Sequence, residues 1–362
     1  MMATLLTKRA AAATLTVILA VLLAVVLAGC AKKEKKAGAG GGPDGYEVPE
    51  LRYQGWAGRV LYTELGEDLG YLAPLKLKWV GNTISGPQDI QAVATGNIDF
   101  GIAFTGSIVK LVSAAAPIKM VIAANGMDSK SWSGCYVLED SPIRSGRDLI
   151  GKKVAINTLG AHAEFITREY LRRQGLSNDE IKQVSLVVVP PLNGEQALRQ
   201  RQVDAAILNS VTKDKALERG GIRHLFTDFQ LFGPFSYSGQ VMTTKFIREN
   251  PKAAGKFVEA TAKAIEWAQT HPREEVLARM EQIIKKRGRN ENTEPLKYWQ
   301  STGIAGKGGL ITEKEVQLWI DWLVKDGQVK EGALQHSDIY TNDFNPYLAK
   351  PEAAGVQLTG GR

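Results

Sequence analysis

Cysteine is almost missing from this 362-residue chain: there are two, Cys30 and Cys135. Cys30 closes an N-terminal apolar run. Cys135 sits in Ser133-Gly134-Cys135-Tyr136-Val137-Leu138, an apolar strand pattern in which a buried thiol is expected rather than a nucleophile. A disulfide framework is therefore excluded. Histidine is scarce as well, and His162, His224, His271 and His336 show no HExxH or other short metal-ligand spacing, so no metal site is expected. No P-loop glycine motif occurs, and no Ser/His/Asp or paired-carboxylate constellation stands out. The expectation is a protein that is not an enzyme and needs no cofactor. Past residue 29 there is no second long apolar run, so the body of the chain is not expected to re-enter a membrane. The formal charge of +7 is spread out apart from two basic knots. One of these, Lys285-Lys286-Arg287-Gly288-Arg289, has no interleaved aromatic; it reads as a solvated helix end, and nucleic acid is not an expected partner.

What is present begins at the N-terminus. Lys8 and Arg9 precede an uncharged stretch, residues 10–28, that ends in Leu27-Ala28-Gly29-Cys30. This resembles a bacterial lipobox, in which a signal peptide of residues 1–29 is removed and Cys30 becomes a lipid-modified (palmitate-bearing) first residue. The alternative is an uncleaved transmembrane anchor, since the run is nearly long enough to span a bilayer. The abrupt change after Cys30 to Lys32-Lys33-Glu34-Lys35-Lys36 favours the lipoprotein, with this basic knot against lipid headgroups. Residues 30–46, rich in Gly and Ala, then form a flexible linker. The expected location is the extracytoplasmic face of the cell membrane, held by a lipid anchor.

From residue 51 onward, strand and helix patterns alternate. Strands are expected at 51–54, 75–80, 98–103 and 118–123, with helices at 59–69, 87–94 and 106–114. A second series repeats the logic: strands at 153–157, 185–189, 203–208 and 222–226, helices at 162–174, 195–201 and 211–219. Such alternation implies parallel sheets covered on both faces. After residue 250 the pattern is helical, at 252–270, 273–287 and 312–325, and the tail from Gln328 has no clear period. Gln91-Ala92-Val93-Ala94-Thr95-Gly96-Asn97-Ile98-Asp99-Phe100-Gly101-Ile102 aligns without gaps onto Gln196-Ala197-Leu198-Arg199-Gln200-Arg201-Gln202-Val203-Asp204-Ala205-Ala206-Ile207. This internal correspondence favours two similar α/β lobes, with Asp99 and Asp204 as structural strand-start residues.

In open α/β sheets, ligands sit beyond the carboxyl ends of the strands, where helix N-termini point. Each such junction here carries small polar residues. The candidate ligand contacts are Trp56 and Ala57, Ser85 and Gly86, Thr105, Gly106 and Ser107, Thr158, Gly160, Ala161 and His162, and Asn209. His162 has two readings, as a donor to an anion or a face for a heterocycle, and as a cap or packing residue. Trp56 either stacks on a planar ligand or packs beside a hinge, and Arg59 either neutralises an anion or is solvated. Phe235 and Tyr237 line the cleft or stiffen the hinge.

Between residues 51 and 288 the chain resembles the extracellular substrate-binding proteins of ABC importers, of the sulfonate, taurine, nitrate and pyrimidine-precursor type. The carriers are Gln91-Ala92 to Gly96-Asn97-Ile98-Asp99-Phe100-Gly101, Asp140-Ser141-Pro142-Ile143 to Asp148-Leu149-Ile150-Gly151-Lys152-Lys153-Val154, Gly160 to Leu171 with Gly175-Leu176, Gln196-Ala197-Leu198 to Val203-Asp204-Ala205, and Phe246 to Asn250-Pro251. The resemblance implies a two-lobed, type II periplasmic-binding-protein-like fold with two crossovers, near residues 134–138 and 237–243. Lobe 1 would comprise 47–134 and 241–345, lobe 2 would comprise 135–240, and 346–362 would be an irregular tail. It also implies a monomer that captures a small extracellular solute and hands it to a membrane permease. Where sulfonate-type members usually carry Gly-Ser-Ser, this chain has Gly160-Ala161-His162. An anion is the leading ligand class, with a neutral or aromatic heterocycle such as a pyrimidine or riboflavin second. A surface adhesion lipoprotein, or an enzyme on the same scaffold, is the distant alternative.

Overall fold

The structure is a computed structural model that describes residues 41–349, apart from the side chains at 210 and 211. The lipobox with Cys30, the apolar run, most of the linker and the end of the tail lie outside the described residues. The described residues from Gly42 onward form one compact unit. Among the described residues, no helix is long and apolar enough to cross a membrane.

The chain starts with strand β1 (Glu50–Gly55), helix α1 (Tyr62–Asp68), β2 (Lys76–Asn82), α2 (Gly86–Ala94), β3 (Gly101–Phe104), α3 (Thr105–Ser113) and β4 (Ile118–Met127). It then enters a second sheet through β5 (Ser133–Leu138) and β6 (Lys153–Ile156), α4 (His162–Arg173), α5 (Asn178–Lys182), β7 (Ser185–Val188), α6 (Gly194–Arg199), β8 (Ala205–Asn209), α7 (Ser210–Glu218), β9 (Ile222–Thr227) and α8 (Asp228–Phe232). Strand β10 (Phe235–Thr243) returns to the first region. Helices α9 (Thr244–Glu249), α10 (Pro251–Thr270), α11 (Arg273–Lys286), α12 (Glu313–Lys325) and α13 (His336–Ile339) follow.

The sheets are mixed rather than parallel throughout. β1 pairs with β2 in parallel, and β10 lies antiparallel between β3 and β4. The second sheet has the order β7-β6-β8-β5-β9; β6 is parallel to β7 and β8, while β5 is antiparallel to β8 and β9. The reversed strands β5 and β10 are the two that arrive from the other lobe. Local period alone cannot show this. The crossovers themselves fall just ahead of their expected places, because residues 134–138 and 237–243 are already paired within β5 and β10.

The internal correspondence has a structural counterpart. The Asp99 carboxylate accepts from the Arg52 N–H at 2.7 Å, and the Asp204 carboxylate accepts from the Lys153 N–H at 2.8 Å. The Asp99 and Asp204 N–H groups donate back to the Arg52 and Lys153 carbonyls. Each aspartate thus pins the first residues of a neighbouring strand by side chain and backbone together. The matched turn positions agree too: Gly96 has φ 76° and Arg201 φ 56°, both left-handed.

Alternation in the second sheet buries both faces. Cys135, Val137, Val154 and Ile156 pack with Ile166 and Leu171 of α4 on one side; Tyr136, Ala155 and Ala206 pack with Leu198 and Ala216 on the other. The Cys135 thiol is fully buried and pushed up to about 12 by burial, so it acts as a small apolar core group. The first core runs from Leu51, Leu65 and Phe100 to Phe257, Val316 and Trp319, and includes Phe165, which α4 contributes from the other lobe. Helix α4 stops where Gly175, at φ 76°, lets the Leu176 N–H return to the Leu171 carbonyl.

Candidate functional site

Two of the candidate loops meet directly. β3 ends at Phe104 and runs without a break into α3, so Thr105, Gly106 and Ser107 form a buried helix start. Facing them, Gly160 turns at φ 70° and donates its N–H to Glu164, setting up Ala161 and His162 at the start of α4. The Ser107 hydroxyl donates to the Gly160 carbonyl at 2.5 Å. A Cβ at Gly106 would lie 2.5 Å from the Phe104 ring and 3.0 Å from the Phe165 ring, so glycine is what allows this approach.

His162 is built into that seam. Its ring stacks on Tyr237 of β10 with centroids 4.4 Å apart, and meets the edge of Phe104 at 5.2 Å. Nε2 lies 2.9 Å from Asp228 Oδ2. Asp228 is fully buried and its Oδ1 accepts from the Ser133 and Phe229 N–H groups. A carboxylate only accepts, so the Nε2 position carries the hydrogen; Nδ1 is buried without a partner. The Tyr237 phenol is pushed up to about 12, chiefly by burial and then by the Asp228 charge, with the Arg59 charge opposing. A residue from each lobe and one from a crossover therefore share one cluster.

The other candidates sit on separate loops. Trp56 is half-buried against the first core, Ala57 is exposed, and the Arg59 N–H closes a turn on the Trp56 carbonyl. Ser85 and Gly86 are tucked in: a Cβ at Gly86 would lie 3.0 Å from the Ala103 Cα. Thr158 is half-buried. Asn209 is exposed and caps α7 through the Thr212 hydroxyl, a local role.

One cluster differs from its sequence reading. Arg287 and Arg289, expected as part of a solvated knot, are half-buried, with side chains only 8% and 11% exposed. Arg287 Nη1 donates to both oxygens of Glu64 at 3.0 and 3.1 Å and pairs with Glu291; Arg289 donates to the Tyr53 phenol at 2.9 Å and lies over the Trp79 ring. The Tyr53 phenol in turn donates to Glu64 at 2.5 Å. Lys285 and Lys286 do remain exposed. Glu64 and Glu291 lie far from the knot in sequence or beyond its end, which is why its charges look unpaired in a linear reading.

Asp228 is a further residue of the cluster that lies outside the sequence-based candidates. The signal for it is the Thr227-to-Gln230 capping box that starts α8, in which the Thr227 hydroxyl accepts from the Gln230 N–H. Among the described residues, no group of three or more His, Cys, Asp or Glu side chains is arranged to hold a metal ion.

Two α/β lobes, two crossovers and helix N-termini meeting across the seam define the periplasmic-binding-protein fold class. The chain belongs to the NMT1/THI5 like family, whose sequence profile matches residues 73–275. A putative aliphatic sulfonates-binding protein of Escherichia coli K12 is 32% identical over 162 residues, 44% of this chain and 49% of the relative. The chain spans about half the length of the curated relatives it matches. The periplasmic aliphatic sulphonate binding protein SsuA of Escherichia coli superposes with a TM-score of 0.61 at 19% identity, covering 87% of this chain and 98% of that one. The periplasmic nitrate-binding protein NrtA of Synechocystis PCC 6803 does so at 0.62 and 15%, covering 83% and 88%. At these identities the two solved structures speak for the fold.

Proposed function

We propose that this protein is an extracytoplasmic solute-binding lipoprotein. It captures a small anion of sulfonate, nitrate or carboxylate type between its lobes and delivers it to the permease of an ABC importer, acting as a monomer without catalysis. The observation that carries this reading is the meeting of the Thr105–Ser107 and Gly160–His162 segments, each at a helix start and each from a different lobe. Free N–H groups at helix starts favour negative charge without a metal. The names of the relatives, for sulfonate and nitrate binding, lean the same way. The Leu27-Ala28-Gly29-Cys30 sequence supports lipid attachment at Cys30.

A second reading, a neutral or aromatic heterocycle as ligand, is favoured by the aromatic character of the seam, where Phe104, His162 and Tyr237 lie ring to ring. A thermal-shift panel of taurine, alkanesulfonates, nitrate, bicarbonate, aromatic carboxylates, pyrimidines and riboflavin separates the two. A ligand at one hundred times its dissociation constant stabilises the fold by about 2.7 kcal/mol. Anions raising the melting point support the first reading; heterocycles alone raising it replace the first by the second.

A further inference from the structure

We infer that residues 287–298 form a strap that latches lobe 2 to lobe 1, and that the two polar bonds at its far end are the ones broken when the lobes part. The inference rests on the two-lobed fold and goes beyond solute binding, since it holds whichever solute is captured. The strap is rooted in lobe 1. Arg287 donates to both Glu64 oxygens, pairs with Glu291, and donates through Nη2 to the Arg59 carbonyl at 2.8 Å. Glu291 accepts from the Gly58 N–H at 2.7 Å, in the loop that follows β1. Arg289 donates to the Tyr53 phenol, and Arg273 of α11 donates to the Trp299 carbonyl at 2.8 Å just past the strap's end. An ion pair as enclosed as Arg287–Glu64 is costly to break, because each partner would leave a charge with little water around it. The root therefore stays with lobe 1.

The far end lies on lobe 2. There a short 3-10 turn, Glu294–Tyr298, meets α7. Lys215 Nζ donates to Glu294 Oε2 at 2.7 Å, and the Tyr298 phenol donates to Glu218 at 2.9 Å. Tyr298 is buried, with the Lys215 ammonium 5.8 Å and the Lys297 ammonium 4.6 Å from its ring centre. The placement of α7 gives these bonds their leverage. Helix α4 covers one face of the second sheet and α7 the other, where Ala216 packs with Tyr136 and Ala206. On the α4 face the contact with lobe 1 is apolar and sealed: Phe165 meets Trp319 and Trp322 with ring centres 5.6 and 4.1 Å apart, and all three are buried. The half-buried Arg172–Asp326 pair, 2.6 Å, lies beside them with Arg172 over the Trp322 ring. On the α7 face the contact is polar and open to water, with Lys215 31% and Glu294 44% exposed. Water replaces exposed polar bonds at small cost, whereas parting the rings uncovers apolar surface. Lobe 2 accordingly rocks about the α4 face, and the strap on the opposite face lets go first.

The test is single-molecule fluorescence transfer on the full chain in mild detergent, without added solute. Donor and acceptor sit on Lys78→Cys and Gln202→Cys, both exposed positions, in a Cys30→Ser background. This parent is compared with Lys215→Glu, Glu294→Lys, the two combined, and Tyr298→Phe. The charge changes fall on partly exposed side chains and phenylalanine keeps the Tyr298 ring, so every variant should melt within about 3 °C of the parent. The parent is expected to populate a short-distance form. Each single substitution should lower the ratio of short to long form by about 10-fold, the effect of losing one charge-assisted bond. The charge swap should return the ratio to within about threefold of the parent. Single substitutions that leave the ratio unchanged overturn the strap as a latch, as does a parent with no short-distance form. Single substitutions that open the lobes, with a swap that fails to close them, overturn the Lys215–Glu294 bond as its seat. None of these outcomes touches the solute-binding reading, which the thermal-shift panel tests by itself.

Discussion

Replacing Asp89 with asparagine should flatten the pH dependence of stability and strengthen the fold above neutral pH. Asp89 lies on α2 with its carboxyl group fully buried against β3. Oδ2 accepts one hydrogen bond, from the Ile102 N–H at 2.7 Å, and Oδ1 has no partner. No cation pairs with it among the described residues. Burial therefore raises the group from 3.8 to about 7, the single backbone bond opposing only in part. A raised acid binds its proton more tightly in the folded chain than in the unfolded one. Its contribution to stability is accordingly full below pH 3.8 and lost as the pH climbs from there through about 7. Raising the group from 3.8 to about 7 corresponds to about 4 kcal/mol of lost stability on the alkaline side. Asparagine avoids this cost but leaves an N–H where Oδ1 was unpartnered, worth about 1–3 kcal/mol. The net expectation for Asp89→Asn at pH 8 is a gain of about 1–3 kcal/mol, and at pH 4 no gain or a small loss. Urea denaturation at pH 4, 6 and 8 measures this directly. Parallel pH profiles for the two proteins, or a variant weaker than wild type at pH 8, would refute the account of Asp89 as an uncompensated buried carboxylate.

Three further outcomes follow from packing and backbone geometry. Phe165→Ala removes a lobe 2 ring packed among Phe104, Trp319 and Trp322; it should cost about 3–5 kcal/mol in urea denaturation and broaden the interlobe distance seen by small-angle scattering. Gly303→Ala forces a Cβ to within 2.3 Å of the Gly126 carbonyl oxygen at φ 63°, so a drop of more than about 2 kcal/mol is expected, read as an earlier urea midpoint. Arg201→Gly relieves a left-handed non-glycine position whose repeat partner is Gly96, and loses only an exposed pair with Asp140. It should leave stability unchanged or raise it by up to about 1 kcal/mol, again by urea midpoint.

Much of this architecture can be read from local pattern. α4 begins at His162 as its period indicates, and β6, β7 and β8 fall within two residues of their expected starts. Asp99 and Asp204 make matching bonds, as their shared sequence context implies. What escapes a linear reading depends on distant partners. β5 and β10 run antiparallel to their neighbours, a pairing with strands distant in sequence that no residue within them records. The charge on Arg287 looks solvated until Glu64, more than two hundred residues earlier, is brought against it. Helices α5 and α8, five residues each, are too short for a period to register, though the Ser177–Glu180 and Thr227–Gln230 capping boxes mark their starts. At the candidate site, the small residues of both helix starts are visible in the sequence. The burial of Asp228 beneath His162 is not, because its role depends on a crossover whose path only the folded chain defines.

Closure around a ligand is the central claim, and an interlobe distance measures it most directly. Cysteines placed at the exposed positions Lys78 and Gln202, one in each sheet region, with Cys30→Ser, can carry a donor–acceptor pair for single-molecule fluorescence transfer on the full chain in detergent. A solute from the panel that raises the melting point should shift the molecules into one narrow population at the shorter distance, with a midpoint equal to its calorimetric dissociation constant. A solute that binds with that affinity and leaves the distance distribution unchanged would contradict capture between the lobes.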